Sequence, residues 1–390
     1  MTRSMRRPGV IAVLTLVATI GLTGCGSSDE DPADSASSAS QSTSAAGDPV
    51  AMGDLLAVAY EGQMGTPPTT ATTPPEDVDL WVVSCGEQIP SCSTPTAAVQ
   101  EAAQAVGWDV RLCDGQLNPN GWGDCVRQAI SADADVVVPV GIDCASVQQP
   151  FQEAKDAGVT VVGGGGADCD EVGGQPLWAS ERIQLEGMGV RDVFELQGKL
   201  AADWLIGTTD GQAKVLHLVF TDPLWGPWLA EGFEQEMATC EGCEIVGTLE
   251  VANNDVMTGA LPQKFSTALL QSPEVDSVFV PLGGWMPAGL AQAVVSSGRS
   301  ADLDVISGLG NVANMELIRS DGGQDAIVGY PTQWGGWGSV DTAIRVLNGE
   351  EPVAQGDGFQ VIDAESGLPP QGQDFEPVDF RAAYREAWGV

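Results

Sequence analysis

The residues of this 390-residue chain that could do chemistry are few and unevenly spread. There is one histidine, His217, inside the apolar run Val215-Leu216-His217-Leu218-Val219, alongside nine cysteines and 11 tryptophans. A single imidazole cannot build a multi-histidine metal site, and as a general base it would need a nucleophile beside it. No Gly-x-Ser-x-Gly elbow provides that nucleophile, so His217 reads as a hydrogen-bonded core or sheet-face residue and the chain as a non-enzyme. The glycine run Gly163 to Gly166 follows an apolar stretch, yet it lacks a Gly-x-Gly-x-x-Gly helix start and any Walker lysine. Neither a cofactor nor a metal is expected.

The cysteines point to a compartment. Arg3, Arg6 and Arg7 form a basic start, Val10 to Leu22 an apolar stretch too short for a comfortable membrane span, and Leu22-Thr23-Gly24-Cys25 closes it. This resembles a bacterial lipobox, which implies a signal peptide over 1–24 and acyl chains on Cys25, enough to hold the mature protein stably to a bilayer. Eight cysteines remain, and an even number outside the cytoplasm suggests disulfides. The chain offers four local pairs: Cys85 with Cys92, Cys113 with Cys125, Cys144 with Cys169, and Cys240 with Cys243. A lone Cys-x-x-Cys is a weak redox or zinc signal, so a structural disulfide is preferred for the last pair.

With 54 acidic against 16 basic residues the formal net charge is -38. A field of that sign repels phosphate backbones and anionic headgroups, so nucleic-acid binding is not expected. Residues 25–76 read as a lipid-anchored tether, rich in Ser, Ala and Asp and then in Pro and Thr, with Leu55 to Tyr60 as a segment that could dock on the body.

From Asp79 short apolar runs alternate with amphipathic segments, the signature of strand-helix units and parallel sheets. The first series has strands at Leu80–Ser84, Val110–Cys113, Asp135–Val140, Val159–Gly163 and Leu177–Ala179. The second has strands at Lys214–Phe220, Glu244–Val251, Val275–Val280, Leu303–Ser307 and Ala326–Gly329. The fold class is therefore α/β, with two doubly wound Rossmann-like lobes. Ligands in such sheets bind beyond the carboxyl ends of the strands, and Trp122, Trp225, Trp228 and Trp285 lie in or beside the loops there, with Trp334 and Trp337 after the last strand.

These segments resemble the type I periplasmic binding proteins of the ribose/galactose-binding group. The resemblance is carried by 132–164 (ADADVVVPVGIDCASVQQPFQEAKDAGVTVVGG), by AKVLHLVF at 213–220 followed by WLAEGFEQEM at 228–237, and by VDTAIRVLNGEEP at 340–352. It implies crossover strands at a hinge near Ser180-Glu181 and Gly329-Tyr330-Pro331. One lobe would comprise 77–180 and 331–355, the other 181–330 and 356–390. It further implies a monomeric lipoprotein on the outer face of the bacterial cytoplasmic membrane, capturing a small molecule, with a sugar or sugar-like solute favoured, for an ABC permease. The alternatives are a less polar aromatic solute, or a sensor presenting ligand to a receptor kinase.

The contact pattern departs from the family's. Gly165-Gly166 stand where sugar binders place an Asp-Arg pair, Leu229 replaces an arginine, Gly310 an aspartate, and Tyr330 the hinge glutamine. The candidate ligand-binding residues are then Gln88, Asp114, Asn118, Asp143, Gly165, Gly166, Asp168, Asp222, Trp225, Trp228, Trp285, Asn311, Tyr330, Gln333 and Trp334. Carboxylates among them could meet hydroxyls or a cationic group.

Overall fold

The structure is a computed structural model that describes residues 52–390. The expected signal peptide over 1–24, the expected lipidation site Cys25 and the expected tether up to residue 51 lie outside the described residues. Among those described, no helix is long and apolar enough to cross a membrane.

The uninterrupted valines of the third strand, all buried, need cover on both sheet faces, and they get it. The first lobe contains β1 (Asp79–Ser84), α2 (Pro90–Ala105), β2 (Asp109–Asp114), α3 (Pro119–Ser131), β3 (Val136–Val140), α4 (Gln148–Ala157) and β4 (Thr160–Val161), preceded by α1 (Met52–Glu61). Its strands run parallel in the order β2-β1-β3-β4. The second lobe runs α5 (Val190–Thr208), β5 (Lys214–Phe220), α6 (Trp225–Met237), β6 (Glu244–Val251), α7 (Asn253–Met257), α8 (Leu261–Gln271), β7 (Ser277–Val280), α9 (Ala291–Ser296), β8 (Asp304–Gly308), α10 (Val312–Arg319) and β9 (Ala326–Gly329). After α11 (Thr332–Leu347) come β10 (Gln360–Asp363) and α12 (Phe380–Trp388). The second sheet has the order β10-β9-β8-β7-β5-β6, parallel except for the antiparallel edge strand β10. The expected strand at 177–179 is reduced to hydrogen bonds and a single bridge, Val162 with Ser180.

From β1 onward the chain passes between lobes four times: after Ser180, at Tyr330-Pro331, between α11 and β10, and between β10 and α12. Two further features differ from the sequence expectation. Residues 52–76 are not a free tether. The α1 helix buries Leu55 and Ala59 in the core beside α5, where Gly207 has no side chain to block Leu56. Gln63 then pairs with Phe359, and Thr72 N–H donates to the Ala387 carbonyl of the first lobe. Pro- and Thr-rich composition hid this strap because its order comes from partners distant in sequence. Secondly, α12 belongs with the first lobe rather than with 356–363: Phe380, Tyr384 and Trp388 share a core with Trp334 and Trp337.

All four local cysteine pairs are disulfides. Three of them tie loops at the carboxyl ends of first-lobe strands. His217 is buried between Phe233 and Phe279, but its ring nitrogens lack hydrogen-bond partners among the described residues, and Glu234 lies 3.6 Å away. It is a core residue, though not a hydrogen-bonded one.

Candidate ligand-binding site

The carboxyl ends of both sheets face one cavity of about 420 Å³. Cys85, Gly141 and Gly164 line it from the ends of β1, β3 and β4; Phe220, Leu282 and Leu309 line it from β5, β7 and β8. The Cys85–Cys92 bridge holds the first loop against the start of α2. Trp122 is set on the wall by α3, whose start Asn118 caps by accepting from Gly121 N–H at 2.9 Å. The indole N–H of Trp122 donates to the Cys85 carbonyl at 2.9 Å.

Opposite Trp122 stands a linked aromatic wall. Trp225 stacks on Phe194 at 5.6 Å and meets Phe220 edge-on at 5.5 Å, and Phe220 meets Trp285 edge-on at 5.0 Å. Such pairs hold their rings in fixed orientations, and all four rings line the cavity.

Asp143 bridges the lobes. One carboxylate oxygen accepts from Ala167 N–H at 3.1 Å, within the first lobe; the other accepts from Leu224 N–H at 3.0 Å, at the start of α6 in the second. Burial raises its pKa, and the two backbone donors pull in the opposite sense.

At the hinge, Arg182 from the first crossover, Tyr330 from the second and Asp357 from the third form one buried group. Arg182 and Tyr330 both donate to Asp357 Oδ2, the hydroxyl at 2.7 Å, and the guanidinium also donates to the Tyr330 oxygen at 3.1 Å. Burial works against the Arg182 charge, but Asp357 together with Tyr330 and Tyr384 outweighs it, so the guanidinium stays ionised. Burial pushes the Tyr330 hydroxyl and Asp357 carboxyl up.

Of the fifteen candidates, Asp143, Gly165, Asp222, Trp225, Trp285, Asn311 and Tyr330 line the cavity. The others do not, for identifiable reasons. A Cβ on Gly166 would come 2.2 Å from the Ile142 carbonyl oxygen, so this glycine serves loop-to-loop approach. Asp168 is buried and accepts from the backbone N–H groups of Cys169, Leu177 and Trp178, ordering its own loop. Asp114 accepts from Glu87 and Gln116 N–H, joining two loops. Trp334 is fully buried, its N–H on the Tyr384 hydroxyl at 3.1 Å. Gln333 accepts from Arg381, Gln88 is exposed, and Trp228 sits on α6 off the wall. Sequence reasoning missed Arg182, two residues past the first crossover, and Asp374, which the C-terminal segment brings to the wall.

The model of a periplasmic binding protein domain matches residues 82–351. Among solved structures, the chain resembles the periplasmic component of the arabinose ABC transporter from Shewanella sp. ANA-3, bound to L-arabinofuranose. The TM-score is 0.61 at 19% identity, covering 80% of this chain and 95% of that one. It also resembles an ABC transporter solute-binding protein from Mycobacterium smegmatis with bound glycerol, at TM-score 0.63 and 19% identity, covering 77% and 100%. The fructose-binding periplasmic domain of a hybrid two-component system superposes at TM-score 0.61 and 14% identity, covering 74% and 91%. No curated protein matches. Two parallel-dominated sheets, a cavity at their facing carboxyl ends and a family model spanning most of the body lead to one conclusion: this chain belongs to the periplasmic binding protein domain family.

Proposed function

We propose that this protein is a lipid-anchored solute receptor on the outer face of a bacterial cytoplasmic membrane, which captures a small molecule between its lobes and delivers it to an ABC permease. The observation that carries the reading is the cavity walled by both lobes, with Asp143 spanning them. A ligand that touches both lobes favours the closed form by its differential affinity, and the permease then reads that form. No catalytic step is assigned to it, and it acts as a monomer anchored through Cys25.

A sugar or sugar-like solute is supported by the ligands of the structural neighbours. A second reading, an aromatic or less polar solute, draws on the Phe194-Trp225-Phe220-Trp285 wall and on the missing Asp-Arg pair at Gly165-Gly166. The sensor alternative has one neighbour in its favour, the two-component domain. The test is thermal unfolding of the purified mature chain against sugars, polyols, nucleosides, amines and aromatic acids, with tryptophan fluorescence recorded alongside. A true ligand at a hundred times its Kd adds about 2.7 kcal/mol of stability. A saturable shift with a fluorescence change is expected; silence from a folded sample across the panel would sink the receptor reading. Mass spectrometry should find a diacylglyceryl group on Cys25, and an unmodified mature N-terminus would refute the anchor.

A further inference from the structure

The balance of charge on the cavity wall narrows the ligand class, an inference that rests on the receptor reading above. Among the described residues, Arg182 is the one basic side chain on the wall, and its charge is taken by Asp357. Against it stand three carboxylates with no basic side chain in salt-bridge range: Asp143 between the lobes, Asp222 at the end of β5, and Asp374 on the C-terminal segment.

Their geometry leaves room for a donor. Asp222 accepts Asn253 N–H with Oδ2, and Asp374 accepts Phe375 N–H with Oδ1. The second oxygen of each has no protein donor among the described residues, and neither is a sealed atom. Burial raises the proton affinity of Asp374, as it does for Asp143: these groups lie in a desolvated place without a countercharge. The aromatic rings add a preference of the same sign. Trp122, Trp225 and Phe220 line the wall, and the negative face of an aromatic ring attracts cations, most strongly where water is excluded. An anion would meet repulsion from the carboxylates and no free basic group. A neutral polyol would forgo the attraction and leave the flat apolar wall poorly matched.

The geometry points to a solute that carries a positive charge on a flat, partly apolar body, its ammonium group on the free carboxylate oxygen of Asp222 or of Asp374 and its ring or hydrocarbon face on the aromatic wall of the cavity. The long-range field of a chain of charge -38 enriches such solutes at the cleft mouth.

The test is calorimetry on the purified mature chain in nonionic detergent with two matched series: tyramine, 4-hydroxyphenylethanol and 4-hydroxyphenylacetate; and glucosamine, glucose and glucuronate. In at least one series the amine should bind about tenfold or more tighter than its neutral partner, the size of a desolvated cation–π contact joined by one ion pair. The acids should not bind. Of D222N and D374N, each retaining an amide oxygen for the backbone N–H it accepts, at least one should weaken the amine and leave the neutral partner unchanged. Melting temperatures near that of the parent would show that both variants fold. A neutral member that binds as tightly as its amine, an acid that binds, or variants that weaken both members equally would overturn the cationic class while the receptor reading stands. Heat from none of the six compounds, with the chain folded, would overturn the cationic class, whereas the receptor reading falls only to silence across the wider panel above.

Discussion

Asp143 holds the two lobes by a single carboxylate, and its replacement by asparagine separates geometry from charge. The amide can place its oxygen on one N–H only, so its NH₂ must oppose either Ala167 or Leu224. A hydrogen bond to a charged group contributes about 1.5–3 kcal/mol, and losing it on the Leu224 side releases the second lobe. Asp143→Asn should therefore raise the radius of gyration of the ligand-free protein in small-angle scattering. An unchanged radius, with unchanged unfolding, would show that the bridge does not hold the lobes together. Glu181 invites a different experiment. Burial raises its pKa to about 7, reinforced by Glu171, Asp168 and Asp170, while one oxygen accepts the Asp168 N–H at 2.7 Å. A carboxyl whose folded pKa exceeds its unfolded value binds the extra proton in the native state. Its contribution is complete below the unfolded pKa and is lost as pH rises from about 4.5 to about 7. Glu181→Gln keeps the acceptor oxygen and removes the titration. It should stabilise the protein by about 1–2 kcal/mol at pH 8 and flatten the decline in melting temperature across that window. Asp203 and Asp325, both raised to about 6, slope the same way, so the difference between variant and parent isolates Glu181.

At the level of elements, the first three crossovers are joined by the buried Arg182-Tyr330-Asp357 group as well as by backbone hydrogen bonds from Gln355 to Ile183 and from Gly356 to Gln184. Removing the cation strands Asp357 in the interior, and a broken buried pair costs about 3–5 kcal/mol. Arg182→Met should lower the denaturant midpoint accordingly, Tyr330→Phe should cost only about 1 kcal/mol, and Asp357→Asn added to Arg182→Met should restore part of the loss. If the double variant is no more stable than Arg182→Met alone, the group is not acting as a charge pair. The elements themselves were largely legible: β5, β6 and β9 lie where apolar runs bounded by turn residues placed them, and the four local cysteine pairs all close. The site was less so. A glycine after a strand reads the same whether it admits a ligand, as Gly165 can, or the Ile142 carbonyl, as Gly166 does. An aspartate in a loop reads the same whether it faces the cleft, as Asp222 does, or folds back on its own backbone, as Asp168 does. The difference lies in which distant segment arrives opposite, and periodicity carries no record of that.

For the whole molecule, the strap at 52–76 changes how the lobes are linked. It begins on the second lobe, where Leu55 and Ala59 are buried, and the Tyr60 hydroxyl joins the Trp204 N–H on one oxygen of Asp363, at 2.6 and 3.0 Å. It then runs beside the third crossover: Gln63 and Phe359 exchange both backbone hydrogen bonds, and Gly65 donates to Gly356. A side chain on Gly358 would meet the Gln63 carbonyl oxygen at 1.7 Å, so the approach requires glycine there. The strap finishes on the first lobe, where Arg345 donates to the Thr70 carbonyl, Asn348 to Thr72 and Thr73, and Trp108 to Pro75. It is thus a fifth connection between the lobes, and a chain begun at Asp77 would lose it. Burying one leucine is worth about 1.5–3 kcal/mol and each hydrogen bond about 1 kcal/mol, so the truncated chain should be less stable by at least ~3 kcal/mol. It would also leave Asp363 and the 356–359 edge short of donors. A chain begun at Ala51 should unfold like the full mature protein and resist limited proteolysis at the third crossover, whereas one begun at Asp77 should be cut there and melt several degrees lower. Equal melting temperatures for the two would mean that the strap merely rests on the surface. In that case the lobes would be joined by the four crossovers alone.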